Sequence, residues 1–300
     1  MTRVLGIGEC MIEMALQKDG RYAMGFAGDT FNTCWYLRQV AGDALSVGYF
    51  SAIGDDDASA RMEEFMRLAG IDPVLAVRPG RTIGLYLISL SDGERSFSYW
   101  RSASAARTLA DDLEALPGLG RGDVAYFSGI TLAILPAAGR ERLGAALTRA
   151  RAEGVTVVFD PNIRPMLWES RSEMRAQIMR AAALANLVLP SCDDEVTHFG
   201  DSGPDAVAGR YLDFGAAAVV VKNGGKSLVV RSEHERVDFL PDPVSKVVDT
   251  TAAGDAFNAG FLASWLSGET SENACGAGCR VAAQVITQYG ALVGLTIDNE

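Results

Sequence analysis

The 300-residue sequence predicts an α/β protein built on a doubly wound, mostly parallel sheet flanked by helices and carrying a small β lid. Three observations point there. Short apolar runs rich in β-branched residues alternate with helix-length segments. The runs are continuous rather than alternating, as expected for strands covered on both faces. One stretch breaks the alternation with a hairpin pattern.

In chain order, the first strand is VLGIG from Val4. A short hairpin-like stretch follows over residues 11–24, turning near Asp19-Gly20. GFAGDTFNTCWYLRQV (residues 25–40) runs from small residues into a helix, and LSVGYFSAIG from Leu45 is the next strand. TIGLYLISL (82–90), the turn SDGE and RSFSYW (95–100) form the hairpin, with Asp92-Gly93 as its φ-positive turn. VAYFSG from Val124, VTVVFD from Val155, LVLP from Leu187 and AAVVVK from Ala217 complete the strands. In such sheets ligands bind beyond the carboxyl ends of the strands, where Asp55, Gly129, Asp160 and Lys222 fall. The two hairpins together suit a small lid sheet that excludes water, with an edge hairpin that merely caps the main sheet as the alternative.

Composition bounds the function. A hydrophobic fraction of 48% with 22% charged residues is ordinary for a globular chain with an ample core. A net charge of -11 and a pI near 4.8 argue against nucleic acid and anionic membrane as partners, so an acidic substrate must find local cations. No stretch approaches eighteen apolar residues and no signal core opens the chain, which predicts a cytoplasmic protein. Five cysteines without C-x-x-C spacing indicate neither a disulfide framework nor zinc. Gly276, Ala277 and Gly278 between Cys275 and Cys279 suggest close packing rather than ligation. His198 and His234 stand alone and supply no triad.

The most informative stretch is DTTAAGDAFNAGFLASWL (249–266). Ala252, Ala253 and Gly254 permit a tight turn, and Asp255 opens a run apolar on most sides, a buried helix. Orphan N–H groups and the helix dipole at such a start favour an anion. A carboxylate in the same turn sits beside a bound phosphate, where it can accept a proton from an attacking hydroxyl. Asp is also a common N-cap, so local rules alone leave both readings open.

The pattern D-T-x-x-A-G-D-x-F-x-x-G resembles the second signature of the ribokinase-like (PfkB-type) sugar kinases, and residues 25–40 resemble the first. GECMIEM (8–14), GDTFN (28–32), GERSFSYWR (93–101), SGITLAIL (128–135), FDPNIRPMLW (159–168) and DTTAAGDAF (249–257) resemble one branch, the 2-keto-3-deoxygluconate kinases. The resemblance spans nearly the whole chain. It implies a single ribokinase-like domain over 1–300, with lid strands near 11–24 and 82–101. It also implies transfer of the ATP γ-phosphate to the 6-hydroxyl of 2-keto-3-deoxy-D-gluconate, with Mg2+ as cofactor. A monovalent cation such as K+ near Asp249 is left open. A homodimer through the lid, or a higher homo-oligomer, is the implied assembly.

Residue by residue, the resemblance makes Asp255 the base, with the N–H groups of Ala253, Gly254 and Asp255 holding the γ-phosphate. Gly28, Asp29 and Asn32 form the sugar floor, Tyr86 and Arg101 descend from the lid, and Arg164 meets the carboxylate or keto end. An aimed Arg is the chemistry a sugar acid needs in an acidic protein, because its fork matches a carboxylate. Lys222, Gly224 and Gly225 approach the ATP phosphates, while Asn258 and the region 276–283, including Ala282, border the adenine. Glu195 organises metal through water, although Cys192 stands where the family's N-x-x-E motif has Asn; Asp193 and Asp194 offer other oxygen ligands. Ala27 and Ala252 replace glycines and are acceptable where φ is negative. The competing readings are a neutral-sugar kinase of the fructokinase or ribokinase type, a kinase for the galactonate epimer, and a catalytically silent sugar-binding protein. A dinucleotide site fails because Met11 stands where the third glycine of G-x-G-x-x-G belongs.

Overall fold

The structure is a computed structural model that describes residues 1–17, 19–91 and 94–296. Its strands are β1 (Arg3–Ile7), β2 (Met11–Leu16), β3 (Tyr22–Ala27), β4 (Ser46–Ile53), β5 (Asp72–Val77), β6 (Leu85–Ser91), β7 (Glu94–Trp100), β8 (Val124–Ser128), β9 (Thr156–Asp160), β10 (Leu187–Val188), β11 (Ala218–Val221), β12 (Leu228–Ser232) and β13 (Arg236–Phe239). Its α-helices are α1 (Asp29–Ala41), α2 (Asp57–Leu68), α3 (Gly129–Ile134), α4 (Ala137–Ala152), α5 (Arg171–Leu184), α6 (Cys192–Phe199), α7 (Pro204–Asp213), α8 (Ala253–Leu266) and α9 (Ser271–Ile286).

The large sheet runs β13-β12-β11-β10-β9-β8-β1-β4-β5 and is parallel from β11 to β5. Only β12 and β13 are antiparallel, extending one edge. Alternate residues of its central strands feed two separate cores. Leu5, Ile7, Ala125, Phe127, Val157 and Phe159 enter one, while Val4, Val124, Tyr126 and Val158 enter the other. The continuous apolar runs follow from this, since neither face of a central strand meets water.

A second sheet, ordered β3-β2-β6-β7, joins the two hairpins through a parallel β2–β6 pair. Gly20 at φ 81° carries the first turn, and the expected Asp92-Gly93 turn lies outside the described residues. Met11, Ala27, Tyr86 and Ile88 of this sheet form a small apolar cluster with Ala291, against which Ala252 also packs.

Strands β5, β12 and β13 were not expected from the sequence. Pro73 in β5 argues against a central strand and is tolerated because β5 is an edge. The expected buried helix is α8, buried without interruption from Asp255 to Leu262 and packed between α1 and α9. It begins two residues earlier than expected, at Ala253. Close approach of α8 and α9 explains the glycines there. A β-carbon on Gly278 would lie 2.8 Å from the Phe257 carbonyl oxygen, and one on Gly260 would lie 2.7 Å from that of Ala277.

Candidate active site

The carboxyl ends of β1, β8, β9 and β11 and the N-termini of α1 and α8 converge. Asp255, the third residue of α8, is 8% exposed. Its Oδ2 accepts from Asn32 Nδ2 at 2.9 Å, and Asn32 Oδ1 accepts from the Gly28 N–H at 3.2 Å. Gly28 can be nothing larger, because a β-carbon there would lie 2.1 Å from the Glu9 carbonyl oxygen. Burial pushes the Asp255 carboxyl up to about 8, helped by the charges of Asp29 and Asp160 and opposed by the Asn32 hydrogen bond and Lys222. Asp29 is raised as well, chiefly by burial. Its Oδ2 accepts from Asn162 Nδ2 at 2.8 Å.

On the other side, Lys222 Nζ donates to Asp160 Oδ2 at 3.0 Å and to Asn258 Oδ1 at 3.1 Å. The ammonium stands beside the start of α8, since a β-carbon on Gly254 would lie 3.6 Å from Nζ. Among the described residues no backbone carbonyl accepts from the N–H of Gly254 or of Asp255. These donors and Lys222 make one positive corner facing three carboxylates. Gly224 at φ 56° and Gly225 lie in the turn after Lys222, with open space where side chains would be.

Several expectations need correction. The Ala253 N–H donates to the Thr250 carbonyl at 3.2 Å, leaving two donors at the helix start where three were expected. Ala252 adopts φ 58°, the left-handed region, whereas the tolerance expected of alanine there assumed negative φ. Ala27 is not among the residues of positive φ. Asn258 was expected at the adenine, but it is fully buried. One turn on from Asp255, it faces the sheet and donates to Asp160 Oδ2 at 2.6 Å and to the Tyr126 hydroxyl at 3.0 Å. Ala282 is a partly buried residue of α9 packed on the second core.

The lid-side residues are already partnered. Arg101 Nε donates to Glu9 Oε2 at 2.8 Å, Nη2 donates to the same oxygen, and Ser104 donates to Oε1. The Glu9 side chain is fully buried and that of Arg101 is 10% exposed. The Tyr86 hydroxyl donates to Glu13. Arg164 is half exposed, with Nη1 on the Ile163 carbonyl at 2.7 Å and 3.7 Å from Asp194. Glu195 is fully buried, its oxygens accepting from Tyr211 at 2.8 Å and Arg210 at 2.6 Å. Burial pushes its carboxyl up to about 7 against the pull of Arg210.

Glu9, Glu13, Ser128 and Asn162 were not singled out from sequence, and Asp160 only as a polar strand end. The available signal was their position. Glu9 and Ser128 stand at or just past the ends of parallel strands, and Asn162 follows Asp160-Pro161 in a turn where Asn tolerates its φ of 32°.

Residues 1–297 match the pfkB family of carbohydrate kinases. The chain belongs to that family. Within it, the 2-dehydro-3-deoxygluconokinase of Dickeya dadantii (strain 3937) is 40% identical over 298 residues, covering 96% of each chain. That of Haemophilus influenzae is 36% identical, covering 98% of this chain and 96% of its own. Among solved structures, aminoimidazole riboside kinase from Salmonella enterica, complexed with aminoimidazole riboside and an ATP analog, superposes with a TM-score of 0.84. It is 23% identical and the match covers 96% of this chain and 94% of that one. Fructokinase from Vibrio cholerae, bound to fructose, ADP and calcium, gives 0.81 at 24% identity over 97% and 94%. The fold of this pfkB family member is therefore ribokinase-like.

Proposed function

We propose that this chain transfers the γ-phosphoryl group of ATP to the 6-hydroxyl of 2-keto-3-deoxy-D-gluconate, the compound also called 2-dehydro-3-deoxygluconate. Relatives named for that activity at 36–40% identity support the substrate. The observation that carries the chemistry is the Asn32–Asp255 bond, which joins the two signature segments across 223 residues.

In this reading Asp255 accepts the proton of the 6-hydroxyl as the bond from that oxygen to the γ-phosphorus forms and the bond to the ADP oxygen breaks. A proton affinity near neutrality suits a general base. The Gly254 and Asp255 N–H groups and Lys222 hold the charge on the transferring group, work a preorganised site does without reorganising. Magnesium, when bound, neutralises charge on the β- and γ-phosphates. Among the described residues no three His, Cys, Asp or Glu side chains are placed to hold a metal ion together. Glu195, with both oxygens engaged, would reach it only through water.

Arg164, the less committed arginine, takes the substrate carboxylate. The small sheet closes over the sugar as a lid of a single-domain enzyme. Its exposed Tyr22, Met24, Phe97, Tyr99 and Trp100 suit pairing with a second copy in a homodimer. No helix among the described residues is long and apolar enough to cross a membrane, in keeping with work in the cytoplasm.

One observation favours a second reading, a neutral sugar: Glu9 already neutralises Arg101. ATP-dependent turnover with magnesium against 2-keto-3-deoxygluconate, its galactonate epimer, fructose and ribose decides. Strongest turnover on the keto-deoxy acids is expected. Turnover on a neutral sugar alone overturns the acid assignment and leaves Asp255 as base.

A further inference from the structure

Asp160, the last residue of β9, is 3% exposed and has both carboxylate oxygens engaged. Oδ2 accepts from Lys222 at 3.0 Å and from Asn258 at 2.6 Å. Oδ1 accepts from the Asn162 N–H at 3.1 Å, closing a local turn in which Asn162 takes φ 32°. From there the Asn162 amide donates to Asp29 at 2.8 Å. One carboxylate thus ties the lysine after β11, the inner face of α8 and, through Asn162, the start of α1.

On the kinase reading above, we propose that Asp160 is a positioning residue that aims Lys222 at the transferring phosphate and Asp29 at the sugar. A lysine is a point charge on a flexible stem and holds no direction unless anchored. Here Asp160 and Asn258 anchor it from one side, and Gly254 puts no side chain between the ammonium and the α8 turn. The pair is largely withdrawn from water, with side chains 13% and 5% exposed, so solvent screens it little. When a phosphate takes the ammonium, Asp160 keeps the Asn258 amide and the Asn162 N–H. No bare carboxylate is left buried, so Lys222 can exchange anions.

The arrangement leaves an electrical signature on Asp255. The groups facing Asp255 are Asp29 and Tyr36 from α1, Tyr126 from β8, Asp160 from β9 and Lys222 after β11. Asp160 raises its proton affinity and Lys222 lowers it.

The test is steady-state kinetics across pH, with binding of a non-hydrolysable ATP analogue in parallel. Asp160→Asn keeps the shape and loses the charge. It is expected to weaken nucleotide binding about tenfold, as loss of a charge-assisted aim implies, and to move the acid limb of kcat/KM to lower pH. Lys222→Met is expected to move the limb to higher pH. In the Lys222→Met background, Asp160→Asn should change nucleotide affinity less than twofold, because its partner is gone. Equal nucleotide effects in both backgrounds, or limbs moving in the same direction, overturn the proposal. If Asp160→Asn does not fold, a Lys222→Met limb that stays put or falls overturns it alone. A wild-type chain that binds nucleotide yet phosphorylates no sugar overturns the substrate reading instead and leaves the binding comparison standing.

Discussion

Replacing Asp255 by asparagine should make the protein inactive and more stable at once, and both magnitudes follow from the site. The carboxyl ordinarily titrates at 3.8 and is pushed up to about 8 by burial first and by Asp29 and Asp160 next. The folded state thus holds this proton more tightly than the unfolded chain. Stability from the group is full at low pH and is lost as pH rises from about 4 to about 8. At pH 7 the unfolded chain has gained roughly three decades of ionisation that the folded chain has not. At about 1.4 kcal/mol per decade this is a penalty of up to about 4 kcal/mol. An amide has no such penalty, and its oxygen can still accept from Asn32, which now donates at 2.9 Å. Asp255→Asn should therefore unfold on the order of 5–10 °C higher at pH 7, with a smaller gain at pH 5. Turnover should fall by a factor of about a hundred to ten thousand, the usual worth of a positioned base, and raising the pH should not restore it. The assays are thermal unfolding at the two pH values and ADP release under saturating substrates. Turnover within tenfold of wild type would refute the base. A stability gain that does not depend on pH would refute the buried-charge argument.

Three further outcomes are open to direct measurement. Arg164→Ala should raise KM for keto-deoxy acids about tenfold or more and leave KM for a neutral sugar within twofold; equal effects count against a carboxylate contact. Ala252→Gly removes a methyl from a left-handed residue at φ 58°, so the variant should be as stable as wild type or up to about 1 kcal/mol more so, and a loss beyond that in denaturant titration contradicts the strain. Gly278→Ala drives a β-carbon to 2.8 Å from the Phe257 carbonyl oxygen. It should destabilise the protein by about 1–3 kcal/mol, and an unchanged denaturation midpoint would show that α8 and α9 have room to part.

The central strands could be read in the sequence because burial on both faces leaves its mark on every residue, as in AVVV of β11 or VAYFS of β8. The edges could not. β5 carries a proline that only an edge tolerates, β13 alternates Arg236 and Asp238 with Val237 and Phe239, and β12 offers only three apolar residues, Leu228 to Val230, before Arg231 and Ser232. The turn before α8 was legible as a helix start because capping chemistry acts within one turn. Its handedness was not, since an alanine by itself implies negative φ and only the turn's geometry makes Ala252 left-handed.

Partners chosen by topology lie beyond local rules altogether. Asn258 was expected to border the adenine, a place that came from the family resemblance alone. One turn on from Asp255 it lies on nearly the same face of α8, and there it meets Asp160, 98 positions away in sequence, a partner no local rule names. Arg101 shows what physical reasoning could still have supplied. A guanidinium at the root of a lid is withdrawn from water when the lid packs down, and a buried charge without a partner is far costlier than one that is paired. An acidic chain has carboxylates to offer, and the first in the sequence lies just past β1. Glu9 is that carboxylate: its backbone excludes any side chain at Gly28, and its side chain holds Arg101. On the sugar-acid reading, the Glu9 side chain therefore sets how much positive charge Arg101 can offer a substrate carboxylate, whereas the close approach at Gly28 is made by the backbone and is independent of that side chain.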